Sequence, residues 1–83
     1  MGASNMLFNK KMVDELNLIL TFPDNSMMQG IKIHADAEPA VIEAAQRLFA
    51  KGIIDKVDGG YLTDLGLDLA EHAQVLKLAL SDK

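Results

Sequence analysis

Apolar residues recur at intervals of three and four over residues 9–21, which is the spacing of one face of an α-helix. The stripe consists of Met12, Val13, Leu16, Ile19 and Leu20. Asn9 is placed to cap this helix, and Phe22-Pro23 ends it because the residue before a proline is pushed away from helical dihedral angles. The pattern predicts a first helix that buries the stripe and leaves Glu15 on the opposite, polar side.

A second helix is predicted over residues 36–51. Its apolar stripe consists of Val41, Ala44, Ala45 and Leu48, widened by Ile42 and Phe49. Asp36 is expected to cap it, and Pro39 is tolerated because it falls in the first turn. Gly52 stands where a left-handed residue ends a helix, and Ile53 is expected to fold back onto the last turn.

Two interpretations remain open for the segment between these helices. Residues 26–30 suit either one turn of a helix-turn-helix or a loop. Residues 31–34 alternate apolar and polar side chains, which is typical of a short half-buried strand. The sequence therefore leaves open whether residues 26–34 form a helix of a helix-turn-helix or a loop that leads to a short third strand.

A hairpin and a long helix are predicted for the last third of the chain. Asp58-Gly59 separates the stretches 53–57 and 60–63, and this dipeptide is a strong signal for a tight turn with positive φ. Thr63 then caps a helix that carries Asp64 in its first turn, beside the positive end of the helix dipole.

This last helix is apolar on more than one side, so it is expected to be buried on more than one side. Its first face carries Leu65, Leu69, Ala73, Leu76 and Leu80, and we expect that face to pack on the core. Leu67, Val75 and Leu78 lie elsewhere on the helix. They are our candidates for a second packing surface.

The order of elements predicts one α+β domain, mostly helical, over residues 6–83. Residues 1–5 form either a frayed tail or residues added before a native start at Met6. The chain has 83 residues, of which 49% are apolar. A chain so small and so apolar is stabilised either by close packing of its own core or by a partner.

Composition limits the cellular compartment and the binding partners that we expect for this domain. The chain has no cysteine, which excludes disulfides and thiolate metal sites and favours the cytoplasm. No apolar run approaches the ~20 residues that span a bilayer, so we expect no membrane partner. The net charge of −4 counts against nucleic-acid binding over the whole surface. A local basic face is still compatible with this net charge.

No set of residues indicates catalysis. The two histidines, His34 and His72, are far apart in sequence, whereas a metal site needs three or four converging ligands. Gly59-Gly60 is not followed by the Lys-Ser or Lys-Thr of a phosphate-binding loop, and a hairpin explains it. We expect neither an enzyme nor a bound metal or cofactor. Asp68 lies one turn before His72 and is expected to contact it.

Residues 47–54 and 58–66 resemble the end of a winged-helix domain. In that family a recognition helix ends at glycine, a two-stranded wing follows, and a Leu-Thr-x-x-Gly run, here Leu62-Thr63-Asp64-Leu65-Gly66, enters the last helix. Residues 6–81 are also similar to a group of short gammaproteobacterial proteins labelled as DNA-binding. Residues 13–17, 30–37 and 70–73 add to that similarity. The resemblance implies a winged-helix fold and the DNA-binding label.

DNA binding and transcriptional regulation form the first functional hypothesis. Amide and cationic side chains on an exposed helix are the usual readers of base edges. The candidate contacts to double-stranded DNA are Gln46, Arg47 and Lys51 on the second helix, Lys56 and Tyr61 on the wing, and Lys32 on the strand. Four carboxylates lie near these residues and have the wrong sign for phosphate, namely Glu38, Glu43, Asp55 and Asp58.

The alternative is a winged-helix scaffold that binds no nucleic acid. It would act as a homodimer or a protein adaptor through its last helix. Leu67, Val75 and Leu78 are the candidate interface residues.

Overall fold

A computed structural model describes residues 7–23 and 30–81. The elements are α1 (Lys10–Thr21), β1 (Ile31–Lys32), α2 (Pro39–Ala50), β2 (Ile54–Lys56), β3 (Gly59–Leu62) and α3 (Asp64–Leu80). This confirms an α+β, mostly helical domain with three helices, a hairpin and a third short strand. The predicted tail, residues 1–5, lies outside the described residues, and so do residues 26–29 of the ambiguous segment. In the rest of that segment Ile31–Lys32 form a strand.

The three strands form one antiparallel sheet in the order β1-β3-β2. β3 is central, with Ile31 opposite Gly60 on one side and Ile54 opposite Leu62 on the other. β1 is shorter than predicted. Ile33 lies beyond its end, yet its amide still donates to the Asp58 carbonyl at 2.8 Å, so the chain stays against the hairpin turn.

The hairpin turn comes one residue earlier than predicted. Lys56 is paired with Gly59, so Val57 and Asp58 form the two-residue connection. The positive φ angles fall on the strand residues Gly59 (123°) and Gly60 (73°) instead. The register shifts between Ile54 and Lys56, where the Asp55 carboxylate accepts the Tyr61 amide at 2.9 Å. This side-chain bond gives the Tyr61 amide a partner at the irregular part of the ladder.

α1 starts as predicted, since the Asn9 side chain accepts the Met12 amide at 2.9 Å. Its buried side differs from the predicted stripe and consists of Glu15, Leu18, Ile19 and Phe22. Met12 and Val13 are more than one-third exposed. The helix is rotated because the Glu15 carboxylate faces α2 and binds two cations there.

α2 starts later than predicted and ends as predicted. Glu38 is its N-cap with an extended ψ of 141° and no side-chain capping bond, so the expected cap at Asp36 is wrong. Pro39 enforces this start because it disfavours helical dihedral angles at the preceding residue. At the other end Gly52 has a φ of 77°, and the Ile53 amide donates to the Leu48 carbonyl at 2.9 Å, closing the glycine-terminated cap.

The core lies between α1, α2 and the sheet. It consists of Leu18, Ile19, Phe22, Ala44, Ala45, Leu48, Ile53, Ile54 and Leu62. Leu67, Leu69 and Ala70 of α3 are half-buried and pack against it. Phe49, which was expected to widen the α2 stripe, is 46% exposed.

Thr63 joins the end of α2 to the start of α3. Its hydroxyl donates to the Gly52 carbonyl at 2.6 Å and accepts the Gly66 amide at 3.1 Å. Its own amide donates to the Ile53 carbonyl at 3.0 Å. One side chain therefore caps α3 and ties it to the glycine that terminates α2.

Thr63→Ala is expected to lower the free energy of unfolding by about 1–2 kcal/mol, because it removes an N-cap and leaves the Gly52 carbonyl without its donor. Urea denaturation measures this loss. Thr63→Ser keeps the hydroxyl and should remain near wild type. Equal stability of the alanine and serine variants would contradict the capping role.

Candidate functional site

Arg47 lies in the last turn of α2 and Lys51 is its C-cap residue, four positions later, and both side chains turn toward α1. The Arg47 Nε and the Lys51 Nζ each donate to Glu15 at 2.6 Å, one to each carboxylate oxygen. Arg47 also donates through Nη2 to the Lys11 carbonyl at 3.3 Å. We call Glu15 with these two cations the Glu15 contact.

The Glu15 side chain is only 10% exposed, compared with 26% for Arg47 and 53% for Lys51. Burial by itself raises the pKa of Glu15, but the hydrogen bonds from Lys51 and Arg47 and the charges of these residues outweigh it. The pKa of Glu15 is therefore lower than its ordinary value of 4.5. The carboxylate is ionised at neutral pH and neutralises part of the charge of both cations.

Sequence reasoning missed Glu15, which was assigned to the polar side of α1. The sequence did contain a signal for the buried position. Glu15 precedes Leu18, Ile19 and Phe22 by three, four and seven residues, so it lies on the same face of the helix. An acid inside an apolar stripe needs a cation on a facing element. Arg47 and Lys51, spaced by four, could supply it.

The remaining predicted DNA contacts lie at separate places in the fold. Lys32 donates to Asp58 at 2.5 Å, and this bond lowers the pKa of the Asp58 carboxyl. Lys32 and Gln46 line a shallow groove of about 430 Å³ between α2 and the hairpin turn. Lys56 and Tyr61 are exposed on the hairpin. The structure thus brings Arg47 and Lys51 together against α1 and leaves the others elsewhere.

The most exposed side of α2 carries Glu43, Gln46, Phe49 and Ala50. This side offers one amide, one carboxylate and two apolar side chains to a ligand. It has none of the paired donors that favour contact with phosphate or with base edges.

α3 packs on the rest of the domain through its residues up to Ala73. Gly66 and Ala73 are buried, and Leu67 is half-buried, so Leu67 does not belong to an open strip. Every residue from 75 to 80 is exposed. We call residues 75–80 the α3 tip.

The α3 tip has five apolar residues and one cation, Lys77. Val75 and Leu78, two of the predicted interface residues, are 64% and 63% exposed. Leu76 and Leu80 were expected to face the core, but they are 45% and 74% exposed because the helix extends beyond the core at this end.

A family model described as a family of unknown function (DUF5669) matches residues 6–81. The chain belongs to the DUF5669 family. No curated protein and no solved structure matches the chain. The family description assigns no activity, so the DNA-binding label implied by the resemblance stays a prediction. Among the helices of residues 7–23 and 30–81, none is long and apolar enough to cross a membrane.

The described part of this DUF5669 chain leaves much of its apolar surface open. Twelve large apolar side chains are exposed, whereas only seven residues larger than alanine make up the buried core. Scattered apolar residues are normal on a surface. At the α3 tip, five exposed apolar residues lie within six consecutive positions.

A cleft of about 540 Å³ opens between α1 and the start of α2 in the DUF5669 domain. Leu18, Ile31 and Val41 contribute to its apolar lining. Its two cations are bound by carboxylates, since Lys10 pairs with Asp14 at 2.9 Å and Lys32 pairs with Asp58. The cleft therefore gives no specific indication of an anionic ligand.

Proposed function

We propose that this DUF5669 chain is a non-enzymatic protein-interaction module that works through the α3 tip. The observation that supports this is the run of exposed residues 75–80, of which five are apolar. Keeping these side chains in water costs free energy that a protein partner would recover by covering them.

The charge arrangement favours this function over DNA binding. Affinity for phosphate depends on cations that can replace the counterions of the duplex. Arg47 and Lys51 are engaged by Glu15, and Lys32 is engaged by Asp58. Gln46, Lys56 and Tyr61 remain as candidate contacts, and they include a single cation.

We infer that the scaffold is a winged helix. In this arrangement α2 takes the place of the recognition helix and the β2–β3 hairpin that of the wing. The exposed side of α2, with Glu43 and Phe49, is unsuited to a polyanion. This supports the adaptor or homodimer form of the fold over the regulatory DNA-binding form.

Site-specific photo-crosslinking in cells tests the proposal. The photoreactive residue p-benzoylphenylalanine replaces Leu78 in the α3 tip or, as the matched control, Glu43 on the exposed side of α2. We expect a discrete protein adduct from position 78 and none from position 43. Adding Leu80→Asp should reduce the adduct at position 78 by about tenfold, because a charge in an apolar contact costs more than 1.4 kcal/mol.

Titration with a DNA duplex tests the alternative function, DNA binding. A fluorescent mixed-sequence duplex is titrated at low and moderate salt with the wild type and with the Arg47→Ala, Lys51→Ala double variant. We expect no salt-dependent binding from either protein. Wild-type binding that weakens with salt and falls in the double variant, together with no adduct at position 78, would overturn the proposal in favour of DNA binding.

A further inference from the structure

One edge of the sheet borders the cleft of about 540 Å³. β1 is an edge strand, because β3 pairs with it on one side and no described residue pairs with it on the other. Residues 31–34 form one wall of the cleft. The facing wall is a row of α1 side chains at helical spacing, namely Lys10, Asp14, Asn17 and Thr21. The cleft is thus a groove between an edge strand and a helix, and we call it the β1 groove.

The backbone of Lys32 points away from β3, toward the free edge. The Ile33 amide donates to the Asp58 carbonyl at 2.8 Å, so β1 bonds the hairpin through Ile33. Hydrogen-bonded and non-hydrogen-bonded pairs alternate along antiparallel strands, and Lys32 opposite Gly59 is therefore a non-hydrogen-bonded pair. The Lys32 amide and carbonyl are left for a further strand. Such edge groups are what an added peptide strand binds.

The dimensions of the β1 groove suit a short extended peptide. Its α1 wall runs from Lys10 to Thr21, a rise of about 16 Å at the helical spacing. An extended chain covers this length in about five residues. Leu18, Ile33 and Val41 contribute to the lining, so they can receive the side chains from one face of an added strand.

The charges at the β1 groove favour a cationic occupant. Both lysines on its walls are already neutralised by carboxylates. Asp36 and Glu38, near the start of α2, are exposed and also line the groove. Neither of them forms an ion pair with any residue of 7–23 or 30–81. A lysine or arginine on the occupant would therefore meet charges of opposite sign.

We propose that the β1 groove binds an extended peptide segment of a partner protein, in which lysine or arginine stands beside apolar residues. The segment joins the sheet as a fourth strand and exchanges hydrogen bonds with the backbone of Lys32. Its cation lies against Asp36 and Glu38. This site is separate from the α3 tip, and neither site requires the other.

Peptide selection on the purified protein tests the proposal. A random seven-residue library displayed on phage is panned against the protein, and the enriched peptides are synthesised with a fluorescent label. We expect these peptides to contain lysine or arginine. In the amide NMR spectrum they should shift the signals of Lys32 and Val41 and leave those of residues 75–80 unchanged.

Lys32→Pro separates the backbone contact from the side-chain charge. Proline removes an amide hydrogen that β3 does not use, and edge strands tolerate proline at such positions. We expect the peptides to bind this variant about tenfold more weakly, the equivalent of roughly 1.4 kcal/mol. Lys32→Ala, the matched control, keeps the amide and should bind as tightly as the wild type. Thermal unfolding checks that both variants remain folded.

Two further measurements leave the fold of β1 untouched. Peptides methylated at their backbone amides cannot donate to the Lys32 carbonyl and should lose binding to the wild type. Asp36→Asn combined with Glu38→Gln should weaken binding and remove most of its salt dependence. Glu38 makes no side-chain capping bond, so this change does not remove a cap from α2.

Three results would overturn the proposal. The first is a selection that yields no peptide able to shift the Lys32 amide. The second is equally tight binding to a folded Lys32→Pro variant, and the third is equally tight binding of the methylated peptides. None of these results alters the adduct expected at position 78, so the function proposed for the α3 tip stands or fails separately.

Discussion

Gly66→Ala is expected to lower the free energy of unfolding by about 3 kcal/mol, near the upper end of the roughly 1–3 kcal/mol range for overpacking. A Cβ atom at this position would collide with the carbonyl oxygen of Ile53. That oxygen accepts the Thr63 amide at 3.0 Å and cannot move away freely. The loss is large against the ~4–12 kcal/mol total stability expected for a domain of this length.

Urea denaturation measures the effect of Gly66→Ala, with Asp68→Ala on the exposed side of the same helix as the matched control. The control should remain within about 0.5 kcal/mol of wild type, as is usual for surface substitutions. A Gly66→Ala variant as stable as wild type would show that α3 does not pack this closely on the end of α2.

Glu15→Gln is expected to cost about 2–3 kcal/mol of folding free energy. The substitution keeps the shape of the side chain but removes the charge that holds Arg47 and Lys51, and breaking a buried ion pair from one side leaves a cation without compensation. Arg47 and Lys51 are partly exposed, so the loss is smaller than the 3–5 kcal/mol typical of full burial. Asp14→Asn is the matched control, because it breaks the exposed pair with Lys10 and should cost less than about 1 kcal/mol.

The contribution of Glu15 should depend on pH with a definite sign. Because the pKa of the folded carboxyl is lower than its ordinary value of 4.5, the stabilisation is present above that pH. It is lost as the pH falls through the folded pKa. The difference in unfolding free energy between wild type and Glu15→Gln should be constant near neutrality and shrink below about pH 4.5. A difference that does not change down to about pH 3 would contradict the Glu15 contact.

Sequence reasoning succeeded where the determinants of structure are local. Asn9 and Thr63 cap α1 and α3 through bonds to amides three residues ahead, and Gly52 ends α2 because it adopts a positive φ. Each depends on a few neighbouring residues, so the residue type and its position are enough to predict it.

The rotation of α1 and the position of the hairpin turn depend on contacts between elements. The buried side of α1 is fixed by Glu15 meeting two cations that are at least 32 positions further along the chain. The shifted hairpin is accompanied by a bond from the Tyr61 amide to the Asp55 carboxylate, six residues apart in the chain. Propensity and periodicity carry no information about such partners, and tertiary contacts override them.

The candidate site was predicted only in part, because tertiary contacts decide which side of α3 packs on its own domain. An excess of apolar residues on α3 indicated a second surface, with Leu67, Val75 and Leu78 as its members. Which side of the helix the domain itself uses is decided by the close approach of Gly66 to Ile53. Sequence alone therefore could not show that Leu67 packs inward while Leu76 stays open.

Amide hydrogen exchange of the purified protein, followed at increasing concentration and again with duplex DNA added, tests the central claim most directly. If the chain works through a protein contact at the α3 tip, the amides of residues 75–80 should become more protected with a partner, which is either a second copy at high concentration or the protein captured at position 78 once it is added. The duplex should leave the exchange of Gln46 and its neighbours unchanged. Unchanged exchange in the α3 tip, together with protection of Gln46 and its neighbours by the duplex, would contradict it.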